Sequence, residues 1–130
     1  MTPIERIRAA ITDFPGYEGV EQRRRSDEEV RSYVGEHLAA LPESAAATTL
    51  KEHAEQYDRL LARCEFMNVL AFEHFEGDPN PGRIALMLEA DAELIATAND
   101  AASADADLDR LLTGLEVLFD RRDAAMLAPP

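Results

Sequence analysis

Few residues in this chain could do chemistry, and they are scattered. The most unusual local feature is Arg23-Arg24-Arg25. Guanidinium groups just ahead of a helix N-terminus, together with its free N–H groups, can hold a phosphate or a carboxylate. The same run can instead pair with Asp27, Glu28 and other surface acids, or dock an acidic partner. The segment Phe14-Pro15-Gly16-Tyr17, shortly before it, is distinctive but points to no activity.

His37, His53 and His74 are candidate metal ligands or bases. His53 and His74 share a helix face but lie 21 residues apart. That is about 31 Å along a helix, too far to share an ion. None of the three has the Glu-x-x-His spacing of di-iron bundles. Cys64 is the only cysteine, which excludes an internal disulfide and a cysteine-based zinc cluster. As a nucleophile it would need a base and solvent access, and the sequence supplies neither. It is expected to act as a small buried hydrophobe.

Asn68 interrupts an otherwise apolar stripe. A polar residue there fixes register or oligomeric state, or contacts a ligand. Asp105, Asp107, Asp109 and Glu116 match calcium-loop positions, but Arg110 stands where that loop needs glycine. Acids in the first turn of a helix are favourable without any ion. Asp91, between Met87/Leu88 and Leu94/Ile95, is the acid expected to point inward, and one acid is too few for a metal site. The glycine-rich phosphate loop, Gly-x-Ser-x-Gly and His-Glu-x-x-His are all absent. No catalytic residue, metal or cofactor is expected.

The elements that must position these residues are helical, since the apolar spacing shows no sustained alternation. Ile4, Ile7, Ile11 and Phe14 mark a short first helix ended by Pro15-Gly16. Residues 15–25 read as a connection. Ser26 and Glu29 form a capping box for a second helix with Val30, Val34, Leu38 and Leu41 on its apolar face. A long third helix is predicted from roughly Thr48 to Phe75, with Thr49 and Glu52 as a second capping box. Its stripe runs Leu50, Ala54, Tyr57, Leu61, Cys64, Asn68, Ala71, Phe75. Residues 66–72 are apolar on nearly every side, so this half should be central. Gly77 and Asp78-Pro79-Asn80-Pro81-Gly82 end it. Two more helices follow, the last with Leu108, Leu111, Leu112, Leu115, Leu118 and Phe119 inward. The fold class is therefore all-α: a compact antiparallel helical bundle of four to five helices around a long central helix.

The 130 residues fit a single helical domain, 1–130. A net charge of -13 argues against nucleic acid and against anionic lipid as partners. Residues 1–25 are nearly neutral, with five arginines against four acids. The N-terminus is too charged for a signal peptide, and no apolar run approaches a membrane span. A lone cysteine also suits a reducing compartment, so the expected location is cytoplasmic.

The expected function is a small non-enzymatic interaction or regulatory protein. Its partner would be another protein or a second copy of the chain, meeting an apolar excess around Phe66–Phe72. The alternative is a bundle that binds a small anionic ligand, with Tyr57, Cys64, Met67 and Asn68 lining the pocket and Arg23, Arg24 and Arg25 beside it. A carboxylate-and-metal enzyme is the third expectation and the least favoured.

Overall fold

The computed structural model describes residues 1–44, 47–102 and 107–130. Among these residues there are seven α-helices: α1 (Pro3–Ala10), α2 (Arg23–Ala39), α3 (Ala47–Leu50), α4 (Ala54–Glu65), α5 (Val69–Gly77), α6 (Pro81–Asn99) and α7 (Leu108–Leu127). Short 3-10 turns lead into α2, follow α2 and bridge α3 to α4. There is no β-strand among the described residues, and none of their helices is long and apolar enough to cross a membrane. The chain is an all-α helical bundle.

Local chemistry sets most helix starts. Thr2, Asn68, Asn80 and Asp107 each cap a helix by accepting from a backbone N–H three residues on. Pro3 and Pro81 occupy first helical positions, where a missing N–H does no harm. Gly16 has a φ of 86°, which favours glycine, and its carbonyl accepts from the Ser26 hydroxyl at 2.6 Å.

Three expectations are corrected. Ser26 does not cap α2, which starts at Arg23; Ser26 is buried inside the helix and its hydroxyl is used on the preceding loop. Thr49 lies within α3, so it caps nothing. The long third helix is broken between α4 and α5, and Asn68 is no seam residue but the cap of α5. Two interactions make that break. The Arg31 guanidinium donates to the carbonyls of Cys64 (3.0 Å) and Glu65 (3.2 Å), satisfying acceptors orphaned at the end of α4. Phe66 then turns to extended backbone, and the Asn68 side chain accepts from the Ala71 N–H to start α5.

Side-chain pairings fix the directions. Arg83 reaches the Ala128 carbonyl, Asp91 meets Arg122, and Thr97 lies nearest Gly114, so α6 and α7 are antiparallel. Arg31 at Cys64 and Tyr57 at Leu38 make α2 and α4 antiparallel. By contrast Gln56–Thr113, Arg59–Glu116 and Arg63–Asp120 share one constant offset, so α4 and α7 are parallel. Successive main helices therefore alternate in direction. Around the bundle, however, α4 sits beside α2 and α7, while α4 and α6 scarcely touch. The connection through α5 crosses one end of the bundle diagonally.

The core follows the expected stripes: Val30, Val34 and Leu38 of α2, Met87 and Leu94 of α6, and Leu112 and Leu115 of α7 are all fully buried. A Cβ on Gly35 would stand 3.1 Å from that of Cys64, so α2 and α4 cross closely there. Replacing Asn68 with alanine removes the α5 cap and should cost about 0.5–2 kcal/mol. The midpoint of urea unfolding will show it; an unchanged midpoint would mean that α5 starts without the cap.

Candidate functional site

The most elaborate polar construction lies in the core. Arg122 of α7 donates through Nε to Asp91 Oδ1 of α6 (2.6 Å) and through Nη1 to Asp27 Oδ1 of α2 (2.6 Å). Its Nη2 donates to the Tyr17 hydroxyl at 3.1 Å, and that hydroxyl donates to Asp91 Oδ2. Arg31 completes the set, donating to Asp27 Oδ2 at 2.9 Å. Tyr17, Asp27 and Asp91 are essentially inaccessible, and both arginines are buried. Two carboxylates and two guanidiniums balance, as burial of charge requires.

Burial raises the Asp91 carboxyl although Arg122 pulls it down. Both Asp91 oxygens accept hydrogen bonds, Oδ1 from Arg122 and Oδ2 from Tyr17, and these bonds favour the ionised form against the effect of burial. Burial also works against the Arg122 charge, but the fields of Asp91, Tyr17 and Asp27 outweigh it and hold Arg122 well above its ordinary value. Tyr17 is raised well above the usual range, first by burial and then by Asp91. This cluster has no open coordination position. Among the described residues no group of three His, Cys, Asp or Glu side chains could hold a metal.

The second construction is on the surface. The break after α4 leaves an elbow in which Phe66 is 67% exposed, Val69 53% and Leu70 82%. On α5 the buried stripe is Ala71, Phe72 and Phe75, and the outward one is Val69, Leu70, Glu73 and His74. The expectation that residues 66–72 are all central is thus corrected: Phe72 is core, Met67 is half-buried against it, and Phe66, Val69 and Leu70 face out. Between the elbow and α7 lies a groove of about 300 Å³, lined by Phe66, Met67, Asn68, Phe119 and Asp123 with Arg31, Arg63 and Arg122.

This groove brings together Met67 and Asn68 of the pocket expected from sequence. It leaves out the other predicted residues. The Tyr57 hydroxyl donates to the Leu38 carbonyl at 2.6 Å inside the bundle. Cys64 is buried against α2, and burial pushes its thiol up to about 12.

The three arginines form the first turn of α2 and point apart. Arg23 donates to the carbonyls of Tyr17 and Glu18, Arg24 pairs with Glu76 at 2.9 Å, and Arg25 pairs with Glu29 at 3.0 Å. Asp27, expected as their surface partner, is instead inside the core network. His37 holds the Tyr33 carbonyl, and His74 lies beside Arg83. Asp105 and Ala106 of the calcium-like stretch lie outside the described residues, while Asp107 caps α7 and Glu116 pairs with Arg59.

Sequence reading found Asp91 but missed Tyr17, Arg31 and Arg122. The available signal was register: Arg122 falls on the stripe of Leu115, Leu118, Phe119 and Met126, where a charge needs a buried partner. It also missed a larger groove, about 490 Å³, lined by Arg6, Leu86, Glu89, Glu93 and Arg121 among others.

These buried groups lead to two expected outcomes. Arg122→Met strands the buried Asp91 carboxylate and leaves Asp27 with Arg31 alone, and it should cost about 3–5 kcal/mol, or prevent folding. A loss under 1 kcal/mol in chemical denaturation would show that the charges are solvated. The second concerns alkali. Tyr17, Tyr57 and Cys64 all have raised values in the folded chain. Their unfolded forms ionise near pH 9–10. Raised values contribute stability that is complete below the unfolded pKa and is lost as pH rises through the folded one. Stability should therefore fall steadily above about pH 9, and Tyr17→Phe or Cys64→Ala should flatten that fall; a profile level to pH 11 would contradict it.

No protein-family model, curated protein or solved structure matches this chain.

Proposed function

We propose that this is a small cytoplasmic interaction protein, non-enzymatic, that engages its partner through the elbow between α4 and α5. The observation that carries the reading is the exposure of Phe66 and Leu70 on a turn pinned from both sides. Arg31 holds the end of α4, and Asn68 caps α5 while donating to Asp123 at 3.1 Å. Large apolar side chains on a fixed backbone lose little entropy when a partner covers them, which is the usual character of an interface anchor.

The small-molecule alternative draws less support. The groove beside the elbow is at the small end of ligand sites. Its guanidiniums already serve other groups: Arg63 is bonded to Asp120 and Asp123, and Arg31 and Arg122 belong to the core network. An anion would have to displace them. For the carboxylate enzyme, Asp27 and Asp91 are likewise committed to arginine.

A photo-crosslinking amino acid at Phe66, in cells that make the protein, tests the proposal. Discrete adducts are expected from Phe66 and not from a control position such as Glu36 on the exposed side of α2. Leu70→Glu should abolish them while leaving stability within about 0.5 kcal/mol. Identical smears from both positions would contradict the proposal. Phe72→Glu, by contrast, should unfold the chain, because Phe72 is fully buried.

A further inference from the structure

We infer that the occupant of the elbow is a short amphipathic segment whose apolar anchors are flanked by lysine or arginine, rather than a second copy of this chain. This rests on the interaction reading above and adds the chemistry of the partner.

Area is the first ground. Three exposed side chains of this size present on the order of 400 Å². That is about half of the ~800 Å² each partner gives up in a standard stable interface. It suits a helix or strand segment better than a face-to-face dimer.

Charge is the second ground. Glu73 lies one turn beyond Val69 and Leu70 on the outward stripe of α5, and Glu65 immediately precedes Phe66. Both are exposed, and neither forms an ion pair among the described residues. Arg24 pairs with Glu76 and also feels Glu73, and Arg63 pairs with Asp120 and Asp123, so carboxylates outnumber cations around the elbow. An apolar centre with an excess of carboxylates at its rim selects a cationic rim on the partner. A second copy brings the same carboxylates to the same place, and each chain carries -13 overall, so self-association is opposed and basic partners are steered in.

The groove supplies the third ground. It shares Phe66, Met67 and Asn68 with the elbow and offers a recess where one anchor side chain can leave water.

The test uses the full chain, isotopically labelled, titrated by NMR with an amphipathic helical peptide of leucine and lysine and with its leucine–glutamate counterpart. The lysine peptide should shift residues 63–74 and bind at least tenfold more tightly than the glutamate peptide. Leu70→Ser should weaken it tenfold or more. Glu65→Lys with Glu73→Lys should reverse the preference.

Equal binding of both peptides at 63–74 would overturn the basic preference and leave the elbow reading intact. No shift at 63–74 with either peptide would count against both. Shifts spread over the whole acidic surface and indifferent to Leu70→Ser would mean unspecific charge attraction and overturn the inference. So would a dimer in sedimentation that Leu70→Ser dissociates, which would name a second copy as the occupant.

Discussion

Arg122 is the constraint on which the rest of this fold depends. Its guanidinium reaches α2 through Asp27, α6 through Asp91 and the loop before α2 through Tyr17. A charge this deep is tolerated only when every donor has a partner. Buried ion clusters add little net stability over an apolar replacement. What they discriminate is arrangement, since a packing that separates these residues leaves a charge alone in the core. Purely apolar stripes would not enforce so strictly the unusual neighbour order, with α4 beside α7 in parallel.

The same network reaches the surface. Asp27 bridges Arg122 to Arg31, and Arg31 takes the last carbonyls of α4. Those bonds end α4 where the sequence pattern would have carried it on. The exposed elbow is therefore a consequence of the core electrostatics, held from within by Arg31 and from outside by the Asn68 cap. The ion pairs Arg59–Glu116 and Arg63–Asp120 keep α7 in register alongside. An exposed apolar cluster that is built in this way differs from one that merely lacks cover.

Much of the architecture was legible in the sequence. The last helix follows its leucine stripe, and Asp78-Pro79-Asn80-Pro81-Gly82 breaks the chain as expected because proline and glycine act locally. Asp91 was legible as an inward acid from its apolar neighbours. The two failures that matter most involve partners outside the local pattern. Ser26 has the spacing of a capping box, but its hydroxyl is taken by Gly16, and the helix starts a turn earlier. The rhythm through Cys64, Asn68 and Ala71 is that of a continuous helix, and only Arg31, 33 residues from Cys64, reveals the break. Of the residues expected around a pocket, Met67 and Asn68 line a groove, whereas Tyr57 and Cys64, on the same stripe as Asn68, face the bundle interior. Periodicity gives a face and does not say what covers it.

The most direct measurement of the central claim is hydrogen exchange at arginine side chains, followed by NMR on the Nε–H groups at neutral pH. If Arg122 is locked between Asp91, Asp27 and Tyr17, its Nε–H should exchange orders of magnitude more slowly than that of Arg59, whose side chain is 61% exposed. Arg31 should show similar protection. An Arg122 Nε–H that exchanges as fast as that of Arg59 would mean that the network is open to water, and the account of the fold built on it would fail.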